Sequence, residues 1–203
     1  MALVRVIDAF PLSHKIFVFD SAPANPIAEG VRPGDFVSYP EGGLLQYMDA
    51  SMNMRRLGVG VIHVNAAAVG NVGSGTDDLM TFSLPANTLN RTGKVIRAWG
   101  WGTTANNVNA KTLTFNVGSQ VVVSTALTAS IAGQWETLVT IIRTGANTQD
   151  IRARTLQGAT VIFDQELTAG TQTETAAITL KMTGAATADN DIVQEGMIIE
   201  ELN

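Results

Sequence analysis

Trp99 and Trp101 are the residues of this chain whose spacing most directly suggests chemistry. They stand in KVIRAWGW (94–101). Alternate residues of a strand share a face, so both indoles project to one side with Val95 and Arg97, while Gly100 leaves the other side bare. Two flat rings beside a guanidinium can stack on a sugar, which makes Arg97, Trp99 and Trp101 a candidate glycan-stacking site. Core packing or a subunit contact is the plainer use of paired strand tryptophans, and the sequence leaves both uses open.

The other chemically capable side chains are scattered. His14 and His63 are the only histidines, and neither comes with an HExxH or Gly-x-Ser-x-Gly pattern, so each reads as structural or interfacial. Carboxylates cluster at Asp77–Asp78, Asp164/Glu166, Asp189/Asp191/Glu195 and Glu200–Glu201. The stretch ADNDIVQE (188–195) has oxygen ligands but lacks the glycine and the twelve-residue spacing of an EF-hand; Asp and Asn ahead of a strand more simply start a turn. Asp164 and Glu166 share a strand face with Cα atoms about 7 Å apart, as any i, i+2 pair does, so a glycoside hydrolase ranks last among the readings. Cysteine is absent, which excludes a thiol nucleophile, a disulfide framework and a Cys-based zinc site. None of the 19 glycines falls in GxGxxG or GxxxxGK[ST], so phosphate cradling has no support. The expectation is a non-enzymatic protein with no catalytic residue, no metal and no cofactor.

Charge narrows the classes further. The net charge of −5 belongs to a chain of which only 15% is charged, and the densest basic spots, Arg55–Arg56 and Arg152/Arg154, fall short of a nucleic-acid-binding stripe. The stretch MALVRVIDAFPL contains Arg5 and Asp8, and no run approaches 18 apolar residues, so neither a signal peptide nor a membrane span is expected. Neither nucleic acid nor membrane is an expected partner. Because 45% of the residues are hydrophobic, much of the surface must be apolar or hydroxyl-bearing, which suits a subunit covered by partners.

The elements that must position these residues are strands. All 23 threonines lie at or after Thr76, whereas five of the six prolines lie at or before Pro40. From Leu79 the chain reads as nine strand-like runs: 79–84, 94–101, 111–117, 120–124, 135–143, 148–155, 160–167, 174–183 and 192–200. Turn signals such as VGS, TGAN and QGA separate them, and no helix of three turns fits between. Alternation is clearest where Leu113, Phe115 and Val117 oppose Thr112, Thr114 and Asn116. Connections too short for crossover helices predict an all-β fold, an antiparallel jelly-roll-like β-sandwich over residues 76–203.

Residues 1–70 read as an extended N-terminal arm. VRVIDAF (4–10) and KIFVFD (15–20) can pair as strands, but the prolines that follow remove ladder donors. Leu44, Leu45, Met48 and Met52, at spacings of three and four, predict one short amphipathic helix. VGVIHVN (59–65) reads as a further strand, and the Ala/Gly/Asn stretch to Gly75 as a flexible joint. An arm that cannot close its own core must bury its apolar residues elsewhere, against its own β domain or against a neighbour. Its candidate capsid or subunit contacts are Val4, Val6, Ile7 and Phe10; Ile16, Phe17 and Phe19; Phe36 and Tyr39; and Leu44, Tyr47 and Met48.

Residues DDLMTFSLPANTLNRTGKVIRAWGWGTTANNVNAKTLTFNVG, followed by TALTAS, GQWETLVTIIRTG and DNDIVQEGMIIEELN, resemble a β-sandwich module of tailed-bacteriophage virion structural proteins. That module is found in head decoration (cement) proteins and in domains of tail and fibre proteins. The resemblance covers about two-thirds of the chain and rests on LPANTL, the phrase AWGWGTTANN, NAKT and the late IVQEG. It implies a jelly-roll-like domain, usually trimeric, carried on a virion and without enzymatic activity. The first function it implies is a homotrimeric capsid decoration protein on the phage head surface. Such a protein is assembled in the host cytoplasm and clamps neighbouring major capsid protein subunits through its N-terminal arm. The alternative is a tail-fibre or baseplate domain that binds a host-surface glycan through Arg97, Trp99 and Trp101.

Overall fold

The alternation that predicts strands is met in a computed structural model, which describes residues 3–8, 15–19, 31–33, 35–38, 46–48, 54–56, 60–129 and 133–203. The chain divides into two units, residues 1–60 and 61–203, and among the described residues every regular element is a strand.

The first unit is one small sheet. Strands β1 (Leu3–Asp8), β2 (Lys15–Phe19), β3 (Phe36–Ser38), β4 (Gln46–Met48) and β5 (Met54–Arg56) lie side by side in chain order. All pairings are antiparallel except β2 with β3. Phe17, Phe19, Val31, Val37 and Met48 form its buried cluster, with the Phe17 and Phe19 rings stacked at 6.4 Å. The predicted helix is corrected here, since its segment contributes β4 and β5 instead. An isolated short helix is costly to nucleate, whereas the strand pairs with β3, lets Met48 N–H reach the Asp35 carbonyl at 2.9 Å and buries the Met48 side chain. Leu44, Leu45 and Met52 lie outside the described residues.

The second unit is a two-layer sandwich. Its strands are β6 (Gly60–Asn65), β7 (Val69–Gly70), β8 (Gly75–Leu84), β9 (Val95–Thr104), β10 (Lys111–Val117), β11 (Gln120–Leu127), β12 (Gly133–Gly145), β13 (Thr148–Gln157), β14 (Thr160–Gly170), β15 (Ile178–Ala186) and β16 (Ile192–Glu201). One sheet has the order β11-β10-β15-β8; the other runs β14-β13-β12-β9-β16-β6, with β7 also on β16. Each of the nine runs read from the sequence contains a strand, although of 174–183 only the part from Ile178 is one. β15 enters between β10 and β8, and β16 between β9 and β6, so the last two strands complete sheets that earlier strands begin, in Greek-key manner. Tight hairpins join β12 to β13 and β13 to β14, with positive φ at Asn147 (53°) and Gly158 (58°).

The core lies between the layers. Leu113, Phe115, Val117, Leu180 and Met182 of one sheet share a buried cluster with Ile96, Trp135, Val139, Ile141 and Ile199 of the other; each such side chain contributes about 1.5–3 kcal/mol by leaving water. Two β-bulges interrupt the ladders in this region. Leu79 and Met80 of β8 together oppose Met182, and Glu195 of β16 is the extra residue between Gln194 and Gly196. The Gln194 side chain, 0% exposed, joins the two irregularities. Its Oε1 accepts from Met80 N–H at 3.0 Å and its Nε2 donates to the Gly196 carbonyl at 3.2 Å. Both backbone groups thereby find partners in a core that would penalise them if left bare.

A polar knot closes one end. Asp191, 1% exposed, accepts from Asn107 Nδ2 (2.5 Å), Asn109 Nδ2 (2.8 Å), Ala188 N–H (3.0 Å) and Thr187 N–H (3.4 Å). Burial would raise its pKa, but those hydrogen bonds outweigh it and hold the carboxyl below its ordinary value. On the far side of Asn107, the buried Lys111 ammonium donates to Asn107 Oδ1 (2.6 Å) and to the Asn109 carbonyl (3.1 Å), so the amide relays between opposite charges. The predicted joint at 66–75 is also corrected. Val69–Gly70 pairs with β16, and the fully buried Asn71 accepts from Ile192 N–H and donates to the Ala188 carbonyl. Small residues there permit close approach rather than motion.

His63 on β6 stacks on Phe82 with ring centroids 4.5 Å apart, and its buried Nε2 has no partner. Burial lowers its pKa from 6.5. The unfolded chain therefore takes up this proton first, so His63 costs nothing above pH 6.5 and lowers stability as pH falls from there through the folded-state pKa. In urea titrations at several pH values, His63→Phe should flatten the decline below pH 6.5. Asp191→Ala, which strands four donors, should lower the unfolding free energy by about 3 kcal/mol at pH 7.

Candidate functional site

β9 runs through the middle of the larger sheet, and its phrase Trp-Gly-Trp-Gly gives its two sides opposite characters. Ile96, Ala98, Gly100, Gly102 and Thr104 face the core, and Val95, Arg97, Trp99, Trp101 and Thr103 face out. The inner glycines are required by packing. A Cβ on Gly102 would overlap the Val193 carbonyl oxygen and press on the Trp135 ring, and one on Gly100 would crowd Gln194 and Met182. Trp135 is buried, with its Nε1–H donated to the Thr103 carbonyl at 3.2 Å. It is therefore a core residue, whereas the paired Trp99 and Trp101 lie on the outer face.

On the outer face Trp99 is 39% exposed, and its ring centroid lies 4.8 Å from that of Trp101 at a tilt of 42°. Gly196, opposite Trp101 on β16, leaves the space that this ring occupies; a Cβ there would overlap the indole. Around the pair opens a cleft of about 400 Å³ lined by Trp99, Trp101, Gly102, Gln134, Trp135, Glu136, Gly158 and Glu195, within the size range of small-ligand sites. Glu136 stands directly across from Trp101 on β12. Glu195 is the bulged residue of β16, and the bulge turns its carboxylate outward, where it accepts from Thr103 Oγ1 at 3.2 Å. Gly158, in the β13–β14 turn, forms the rim and adds no side chain.

The arrangement offers an aromatic surface flanked by two carboxylates and an amide. Such a surface can stack on the C–H face of a ring and accept hydrogen bonds from its hydroxyls. Trp99 and Trp101 are brought together as the sequence predicts; Arg97 shares their face, but its guanidinium is held by Glu200 at 2.6 and 2.7 Å and is absent from the cleft lining. Gln134, Glu136, Gly158 and Glu195 escape sequence reading because strand order and one bulge bring them here.

The remaining candidates lie elsewhere. Asp164 and Glu166 sit on the edge strand β14, Asp164 exposed and 3.4 Å from Arg152. Asp189 accepts from Gly73 N–H at 2.5 Å, so it and Asp191 serve the turn. In the first unit Phe17, Phe19 and Met48 are buried in its cluster and Phe36 is half-buried. The side chains of Val4, Val6, Ile7, Ile16 and Tyr47, and residues Phe10, Tyr39, Leu44 and His14, lie outside the described residues.

No protein-family model matches the chain, and no curated protein matches it. Among solved structures it is similar to the CBM2 module of the evolved Dit of Lactobacillus casei BL23 phage J-1, at 8% identity and TM-score 0.42, over 72% of this chain and 97% of that one. It is also similar to a protein of unknown function from Shewanella oneidensis MR-1, at 8% identity and TM-score 0.34, over 89% and 94%. The VP2 subviral particle of infectious bursal disease virus matches at 11% identity and TM-score 0.35, over 85% of this chain and 39% of that one. At these values the likenesses assign neither a family nor a function.

Replacing Gly196 with alanine should unseat Trp101, at a cost of about 1–3 kcal/mol. The exciton couplet that two indoles in contact produce in circular dichroism should weaken, and tryptophan emission should shift to the red. An unchanged couplet would show that the ring does not need the space above Gly196.

Proposed function

We propose that this chain is a non-enzymatic, virion-associated β-sandwich protein that binds a glycan through the cleft around Trp99 and Trp101. The observation that carries the binding role is the seating of Trp101 over Gly196. A strand that keeps glycine opposite an outward indole preserves an aromatic floor on a face where no core requires one. The virion association rests on the resemblance of residues 76–203 to phage structural modules. Phage recognition of a host surface is a multivalent task, so a modest affinity per site suffices.

A second reading, the head decoration protein that clamps major capsid protein as a homotrimer, draws on a different feature. Among the described residues β6 is the last strand of the larger sheet, and it exposes Val61 (51%) and Val64 (59%). An apolar edge of this kind, without a further strand beside it among the described residues, is suited to strand addition by another chain.

The two readings separate in one experiment on the full chain. On a glycan array, Trp101→Ala should reduce binding tenfold or more while the far-UV spectrum outside the indole couplet keeps its strand signature, and bound glycan should be recovered without new reducing ends. Reducing ends released in proportion to protein would overturn the non-enzymatic assignment. Binding that survives Trp101→Ala would overturn the site, and a stable trimer that coats purified heads would favour decoration.

A further inference from the structure

We infer that the cleft selects a single uncharged pyranose ring and rejects acidic glycans, an inference that rests on the glycan reading above. Two observations carry it. The first is the charge of the walls: Glu136 and Glu195 flank Trp101 from β12 and β16, and among the described residues no lysine or arginine lines the cleft. The cations on the same face are placed or engaged elsewhere, Arg97 by Glu200 and Arg152 by Asp164. Arg154, on β13, stands across from Leu138, two strands from the tryptophans. A uronate, sialate, sulfate or phosphate group entering between the two carboxylates would meet like charge from both sides without a counter-ion. A neutral sugar suits the same walls, because hydroxyls donate strong, short hydrogen bonds to carboxylates, and the Gln134 amide can both donate and accept.

The second observation is the shape of the floor. With centroids 4.8 Å apart and planes inclined at 42°, the two indoles pack against each other rather than lie side by side as a level strip. A row of sugars along an extended polymer needs coplanar rings spaced to its repeat. Rings this close cover part of each other, so the aromatic surface left open suits one ring; one residue of the glycan is gripped and the rest of the chain stays outside.

The test is a printed array of neutral and acidic glycans probed with the full chain, with Glu136→Gln/Glu195→Gln and the milder Glu195→Gln alone as variants. Both glutamates are exposed, so the fold tolerates the amides. The wild type should bind neutral glycans that share one terminal or branch pyranose and show at least tenfold weaker signal on acidic ones. The double variant should lose neutral binding about tenfold and narrow the neutral-to-acidic ratio, with Glu195→Gln between. Acidic glycans bound as strongly as neutral ones, and lost in Trp101→Ala, would overturn the charge selection while leaving the glycan site standing. A wild type that binds nothing on the array would overturn the site itself.

Discussion

The sandwich depends on one buried amide. Strand β16 must pass between β9 and β6 and still turn Ile192 and Gln194 inward before its bulge and Met197 and Ile199 inward after it. A strand of strict alternation cannot do this, because odd and even positions face opposite ways. The bulge at Glu195 supplies the missing step, and a second bulge at Leu79/Met80 faces it from the other layer. Each bulge frees a backbone group, and the Gln194 side chain satisfies one from each side. The inner glycines follow from that placement: Gly100 makes room for the amide, and Gly102 for the Gln194 backbone and the Trp135 ring.

The cleft is the outer consequence of the same arrangement. Where β9 gives up side chains inside, it carries its largest ones outside, and the bulge that resets β16 aims a carboxylate at them. The cleft and the core irregularity thus adjoin on β16, where Gln194 is buried, Glu195 lines the cleft and Gly196 seats Trp101. The exposed side chains that line the cleft, Gln134, Glu136 and Glu195, do not pack in the core. They can therefore be substituted without disturbing the layer beneath.

Much of this is legible in the sequence, and the part that is not has a physical cause. The strands are legible because period-two alternation and turn residues are local signals; Lys111, in step with Leu113 and Phe115, can even be placed on the buried face. The common face of Trp99 and Trp101 follows from the same parity. What neighbours them does not, because Glu136 and Glu195 reach the cleft through pairings set by β9 with β12 and with the distant β16. A bulge leaves no mark in composition. The helix expected around Met48 fails for the opposite reason: a local period of three to four is present, but a three-residue strand that buries Met48 beside Phe17 and Val37 satisfies more groups.

The position of β16 sets the order in which the molecule can become itself. Of the strands in the larger sheet, it is the last to leave the ribosome, yet it fills a gap between partners made long before, β9 and β6. Until it arrives, β6 has no described neighbour in the sheet, Met80 N–H has no acceptor and Trp101 has no seat. Until β16 is made, β9 therefore keeps an open edge beside its pairing with β12, the condition under which unfinished β-proteins meet each other. One strand thus supplies core and cleft together, and leaves β6 as the last strand of the sheet among the described residues.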